Sequence, residues 1–158
     1  MGWLWVIVVV VMIAAGGLAY SYSKKQVDNG TIIKRDGNFI KQEHIFTTKT
    51  EFMDFFEEFE SEKYNSGMAY SWKGNKGGHL TFTGGTWEAE FHKLKTNEDE
   101  PYKFALSFTR WRTHKGMPYG SMEMNALLTR IEKSFLALDP ATQVTRVKQE
   151  TSTKSSFL

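Results

Sequence analysis

His79-Leu80-Thr81-Phe82 and Trp87-Glu88-Ala89-Glu90-Phe91-His92 alternate apolar and polar residues at the centre of the chain. A period of two is typical of strands that bury one face and expose the other. The same period occurs before them at residues 68–72 and after them at residues 102–108, and segments rich in glycine, asparagine and acidic residues lie between. The sequence therefore predicts a meander of four antiparallel strands.

Two amphipathic helices are predicted, one on each side of the meander. Thr48 stands three residues before Glu51, which is a capping-box pattern, and a helix with phenylalanines at helical spacing is expected from there to about Lys63. The second helix is predicted at residues 121–138 and ends before Asp139-Pro140. Because each helix has one apolar stripe, we expect both to pack on one face of the sheet.

The predicted fold class is α+β, with an antiparallel sheet made of a hairpin plus the meander. The hairpin is expected at residues 31–42 around Asp36-Gly37, and a short last strand at residues 144–148. This order is generically similar to helix-grip and cystatin-like folds, whose concave sheets often enclose a ligand. The similarity rests on element order alone, and the last strand departs from the helix-grip pattern.

An apolar run from Trp3 to Ala19 contains no charged residue and has aromatic residues at both ends. A helix of this length, at about 1.5 Å per residue, nearly covers the ~30 Å hydrocarbon core of a bilayer. Aromatic rings of this kind settle at the headgroups. The sequence therefore predicts a single transmembrane anchor at residues 1–22, with residues 3–20 in the lipid bilayer, followed by a juxtamembrane linker at residues 23–30.

Four basic residues follow the apolar run and none precedes it, namely Lys24, Lys25, Lys34 and Arg35. Because positive charge stays on the cytoplasmic side, we expect a single-pass membrane protein whose C-terminal domain lies in the cytoplasm. The alternative is a secretory signal cleaved near Ala19, which would export the domain. The absence of a basic residue before the run argues against that alternative.

Composition limits the remaining possibilities. The 158 residues leave room for one domain, expected at residues 31–149, and for a polar tail at residues 150–158 that we expect to be disordered. An aromatic content of 15% argues against disorder in the domain itself. The absence of cysteine excludes disulfides and thiolate metal sites. A net charge of +2 does not indicate a nucleic-acid partner, and none is expected.

A metal site is one hypothesis for the polar face of the meander. If Gly84-Gly85 forms a two-residue turn, His79 lies opposite Glu90, and His92 follows on the same face. Two imidazoles and a carboxylate can hold a divalent metal such as zinc or iron. An exposed, salt-linked sheet face explains the same residues.

Two further groups of residues are candidates for binding. Six aromatic residues could surround an apolar ligand, although core packing explains them equally well: Tyr70, Trp72, Trp87, Phe91, Phe104 and Phe108. A basic run with one aromatic residue could contact an anion or a lipid headgroup, or could simply cover the rim of a strand: Arg110, Trp111, Arg112 and Lys115.

No catalytic motif of a known kind is present, since the chain has no phosphate-binding glycine loop, no Gly-x-Ser-x-Gly elbow and no His-Glu-x-x-His helix. We therefore expect a membrane-tethered binding domain, facing the cytoplasm, that is not an enzyme, needs no cofactor and contacts a protein partner at the membrane. One alternative is a domain that holds a small apolar or lipid-like ligand. Another is a metal-dependent hydrolase using His79, Glu90 and His92.

Overall fold

A six-stranded antiparallel sheet forms the centre of the fold in a computed structural model, which describes residues 2–67, 69–75 and 77–149. Helices are α1 (Gly2–Asp28), a 3-10 helix (Gly37–Lys41), α2 (Phe52–Glu60) and α3 (Ser121–Leu138). Strands in chain order are β1 (Gln42–Thr48), β2 (Ser71–Asn75), β3 (His79–Thr83), β4 (Trp87–Lys93), β5 (Tyr102–Trp111), β6 (Thr113–His114), β7 (Met117–Pro118) and β8 (Gln143–Lys148).

The order of strands in the sheet is β2-β3-β4-β5-β1-β8, and β6 pairs with β7 in a separate two-stranded ribbon. Strands β2 to β5 therefore form a four-stranded meander as predicted, and the α+β class with an antiparallel sheet agrees with the sequence. The first strand was predicted at residues 68–72, which is wrong, because β2 is Ser71–Asn75 and Gly74 and Asn75 pair with β3. β1 and β8 extend the sheet beyond β5, with His44 opposite Leu106 on one side and Arg146 on the other. Strands β2 and β8 are the two edge strands of the sheet.

Aromatic rings fill the space between the sheet and the helices α2 and α3. Phe55 of α2 stacks on Phe135 of α3 with ring centroids 4.2 Å apart, and Phe91 stacks on Phe104 at 5.6 Å. All four side chains are fully buried. The phenylalanine stripe of α2 is thus one face of the core, as ordinary amphipathic packing predicts.

The predicted N-terminal hairpin is wrong. Residues 31–36 form no strand, and Gly37–Lys41 is a 3-10 helix that leads directly into β1. The reason lies in Asp36, whose carboxylate accepts a hydrogen bond from the backbone N–H of Asn38 at 3.1 Å. An aspartate used in this way caps a helical turn instead of forming a two-residue hairpin loop.

The predicted transmembrane anchor is contradicted. A membrane span needs about 20 largely apolar residues in one helix. α1 continues through Lys24 and Lys25 to Asp28, so most of the predicted linker is helical. Among the residues that the structure describes, no helix combines the length and the apolar character that crossing a membrane requires. The same finding contradicts the prediction of a single-pass membrane protein with a cytoplasmic domain. The predicted tail at residues 150–158 lies outside the described residues.

Candidate functional site

A buried arginine joins three elements at one end of the helical layer. Arg130 lies in α3 and is only 7% exposed. Its guanidinium lies 4.1 Å above the ring of Phe59, donates from Nη2 to the Phe59 carbonyl at 2.5 Å and donates from Nη1 to the Tyr70 hydroxyl at 3.1 Å. Phe59 is in the last turn of α2, where carbonyls lack partners within the helix and a positive charge is favourable. Arg130 therefore caps α2.

No carboxylate neutralises Arg130 within the described part of the chain. The ion pairs there are Arg35–Glu132, Lys63–Glu58, Lys103–Glu100 and Arg110–Glu88. Arg130 has five N–H donors, of which Nη1 and Nη2 each supply one to these bonds. Its Nε is buried beyond the reach of a ligand and has no acceptor among the described residues. A buried cation with only neutral partners and an unmet donor is costly for a protein to keep. Such a group favours a ligand that brings an acceptor.

Arg130 lines a small pocket that we call the Arg130 pocket. Its volume is about 200 Å³, and it is formed by the end of α2, the loop that follows, the start of β2 and α3. The loop reverses direction through Glu62, whose φ of 58° is in the left-handed region. The six lining residues are Glu60, Glu62, Asn65, Tyr70, Trp72 and Arg130.

Tyr70 provides the inner polar group of this pocket. Its ring packs edge-on against Phe82 at 6.1 Å and is tilted against Trp87 at 6.1 Å, so the hydroxyl is held in place. Burial raises the pKa of the Tyr70 phenol, although the positive charge of Arg130 opposes the rise. The phenol is therefore protonated at neutral pH. Because its oxygen accepts from Arg130, its proton can donate to a ligand.

The six residues of the predicted aromatic ligand site lie in two separate places in the fold. Tyr70 and Trp72 line the Arg130 pocket, and Trp72 packs edge-on against Phe56 with centroids 5.2 Å apart. The other four residues belong to the core and are at most 2% exposed: Trp87, Phe91, Phe104 and Phe108. Arg130, which completes the pocket, was not among the residues singled out from sequence. The sequence does mark Arg130 as unusual, because it is a charged residue three positions after Leu127 and next to Ile131, on the apolar side of a predicted helix.

The three residues of the predicted metal site are not assembled as expected. The turn between β3 and β4 lies one residue later than Gly84-Gly85, because the Gly84 N–H donates to the Trp87 carbonyl at 2.9 Å. The register therefore moves by two residues and places His79 opposite His92 and Glu90 opposite Thr81. The shift is even, and the side chains therefore keep their face of the sheet. In residues 2–67, 69–75 and 77–149, no three histidine, aspartate or glutamate residues form a group able to hold a metal ion.

The predicted basic contact lies at the end of β5 and in the β6–β7 ribbon. Arg110 is an exposed residue that pairs with Glu88 at 3.5 Å, and Trp111 packs against the edge of the core. Arg112 and Lys115 are exposed, and Lys115 has a φ of 49° in the turn of the ribbon. The three cations thus share one end of the sheet, and contact with an anion stays a prediction.

A larger open groove of about 580 Å³ lies between the start of α2 and the end of α3. Its most constrained acid, Asp139, accepts hydrogen bonds from the Lys49 backbone N–H at 2.8 Å and from the Thr48 hydroxyl at 2.9 Å. These bonds hold the pKa of Asp139 below its usual range. Because that carboxylate already joins α3 to the loop before α2, we regard this groove as structural.

No protein-family model matches the chain, and no curated protein matches its sequence.

Proposed function

We propose that this protein is a binding domain, not a catalyst, and that its site is the Arg130 pocket. Its ligand is a small polar group, either a free molecule or the end of a partner protein's chain. The observation that carries the proposal is the buried guanidinium of Arg130, which lines a pocket and has no acidic partner within ion-pair distance among the described residues. A buried cation without a counter-ion costs stability, so a role in ligand binding explains its presence better than core packing does.

The pocket favours binding over chemistry. Its lining has carboxylates, an amide, a phenol, an indole and a guanidinium, and none of the described lining groups is a serine, threonine or histidine that could form a nucleophile–base pair. The Tyr70 phenol is unsuited to act as a base at neutral pH, because its pKa is raised by burial. These features support a non-enzymatic role.

An apolar ligand held between helices and sheet is less well supported. The rings that would surround it are already in contact with one another, for example Phe55 with Phe91 at 5.0 Å and Phe104 with Phe135 at 5.3 Å. A ligand there would have to displace close-packed aromatic residues, which is unfavourable. The Arg130 pocket needs no such rearrangement.

The proposal can be tested by titrating the full chain, labelled with ¹⁵N, against a library of small polar compounds. We expect some compounds to shift the indole N–H resonance of Trp72 in a saturable way. Tyr70→Phe should weaken these compounds about fivefold, the effect of one lost hydrogen bond. Tyr102→Phe is the matched control, because Tyr102 bonds Glu51 and does not line the pocket. If no compound shifts Trp72, or if both variants behave alike, the proposal is wrong.

A further inference from the structure

We infer that the Arg130 pocket recognises an ammonium group placed next to a hydrogen-bond-accepting oxygen. Free α-amino acids carry this pair, and so does the amino-terminal residue of a peptide. The inference rests on the proposed function, since it names the chemistry of the group that the same pocket takes. It follows from the buried donor Arg130, the half-buried donor Tyr70, the exposed carboxylates of Glu60 and Glu62, and the small volume of the pocket that they line. We call the buried side its inner end and the exposed side its rim.

The inner end of the pocket requires an acceptor. The Tyr70 oxygen is occupied by Arg130 Nη1, which leaves the phenol proton as a donor. Among the described residues, the Tyr70 hydroxyl forms no hydrogen bond besides the one that it accepts from Arg130. The positive charge of Arg130 behind Tyr70 strengthens donation to an oxygen with negative character. A carbonyl or carboxylate oxygen satisfies this end.

The rim of the pocket requires a positive charge. Glu60 and Glu62 are exposed carboxylates, and neither belongs to an ion pair in the described part of the chain. Glu60 is also the last residue of α2, where the helix dipole adds negative potential. A simple anion would be attracted by Arg130 and repelled by both glutamates. A simple cation would leave the Tyr70 donor unmet, so a ligand with both groups fits best.

The volume of the pocket limits the size of the ligand. About 200 Å³ corresponds to roughly seven water molecules at ~30 Å³ each. Pockets for drug-sized ligands are larger, at about 300–1,000 Å³. The pocket therefore holds one small residue or its equivalent. A longer peptide could insert only its first residue, with the rest of its chain outside.

Calorimetric titration of the full chain with four probes tests the inference. The probes are glycine, glycylglycine, N-acetylglycinamide and acetate. We expect glycine and glycylglycine to bind, and N-acetylglycinamide and acetate, which lack the ammonium, to bind at least about tenfold more weakly. Tighter binding of glycine would identify free amino acids as the source, and tighter binding of glycylglycine would identify chain termini. Either result supports the inference.

Variants at the rim provide the second measurement. The double variant Glu60→Gln/Glu62→Gln should weaken glycylglycine about tenfold and leave acetate unchanged or tighter. Glu57→Gln is the matched control, because Glu57 lies one turn earlier in α2 and does not line the Arg130 pocket. The double variant removes exposed charges only, so folding is not at risk.

Three outcomes would overturn the inference. Equal binding of acetate or N-acetylglycinamide would mean that the ammonium is not recognised, and the proposed binding function would stand with another ligand class. Failure of all four probes while other compounds shift Trp72 would have the same meaning. Failure of the four probes together with a silent Trp72 would overturn the binding function as well.

Discussion

His44 is a buried histidine whose protonation the fold opposes. It is 1% exposed, its Nε2 lies 2.8 Å from the Phe39 carbonyl, and its buried Nδ1 has no hydrogen-bond partner among the described residues. Burial lowers the pKa of His44, and the positive charges of Arg35 and Arg146 lower it further, against the raising effect of the Phe39 carbonyl and of Glu132. The folded protein therefore holds this imidazole neutral.

Stability should fall as the pH falls below about 6.5, the ordinary pKa of histidine in an unfolded chain. In that window the unfolded chain binds a proton that folded His44 does not. The slope contributed by one such group is at most about 1.4 kcal/mol per pH unit. Urea unfolding between pH 7 and pH 5 measures it. His44→Gln, which keeps an N–H for the Phe39 carbonyl, should flatten the slope, whereas the exposed-site variant His79→Gln should not. Equal slopes would refute this explanation.

Gly84 and Gly85 are adjacent residues with opposite surroundings. A Cβ at Gly84 would lie 2.3 Å from Cε2 of Trp87, whereas a Cβ at Gly85 meets nothing within 4 Å. Trp87 cannot move aside freely, because it is 2% exposed and its indole N–H donates to Glu123 at 2.9 Å.

Gly84→Ala should therefore destabilise the protein by about 1–3 kcal/mol, the usual cost of overpacking. Gly85→Ala should change the free energy of unfolding by less than about 0.5 kcal/mol. Neither position has a positive φ, so the pair isolates the steric clash. Chemical denaturation of both variants measures the two free energies of unfolding. Similar values would show that the packing around Trp87 accommodates the added methyl group.

At the scale of elements, Arg35 fastens the segment before the 3-10 helix to α3. Its side chain is 3% exposed, and it donates to Asn125 at 2.5 Å, to Thr129 at 2.7 Å and to Glu132 at 2.5 Å. The backbone takes part as well, since the Ile33 N–H donates to the Thr129 hydroxyl at 3.1 Å. This network holds a segment without strand or helix against the core.

Glu132→Gln should cost about 3 kcal/mol of stability, because it leaves a buried guanidinium without its counter-ion. The matched control is Glu88→Gln, which breaks the exposed pair with Arg110 and should cost less than about 1 kcal/mol. Equilibrium unfolding in denaturant compares the two. A loss at Glu132 no larger than that at Glu88 would mean that the Arg35 network contributes little to stability.

Periodic segments of the sequence were predicted well. The helix at residues 121–138 and the strands β3, β4 and β5 follow from apolar spacing, because the spacing itself reports which face is buried, whereas β2 lies three residues later than predicted. Short signals were predicted poorly. Asp36-Gly37 indicated a hairpin, but the Asp36 carboxylate bonds the chain locally, and Thr48 lies in β1 instead of capping α2. α2 also ends at Glu60, before the predicted Lys63.

The candidate site was the least predictable feature of the whole molecule. Arg130 meets Phe59 and Tyr70 across 71 and 60 residues of sequence, so no local pattern connects them. The predicted register of β3 and β4 was wrong because it depends on which two residues form the turn, and the adjacent glycines at 84 and 85 do not define that position. The predicted membrane anchor was contradicted by the described helices, and location therefore contributes nothing to the functional argument.

The most direct test of the central claim is a measurement of intermolecular nuclear Overhauser effects between the full chain and bound glycylglycine. We expect contacts from the first methylene of the peptide to the ring protons of both Tyr70 and Trp72, the two aromatic residues that line the Arg130 pocket. Tyr70→Phe should keep the ring contacts and weaken the binding. Contacts from the peptide to the rings of Tyr102 or Trp111, with none to Tyr70 and Trp72, would show that the Arg130 pocket is not the binding site.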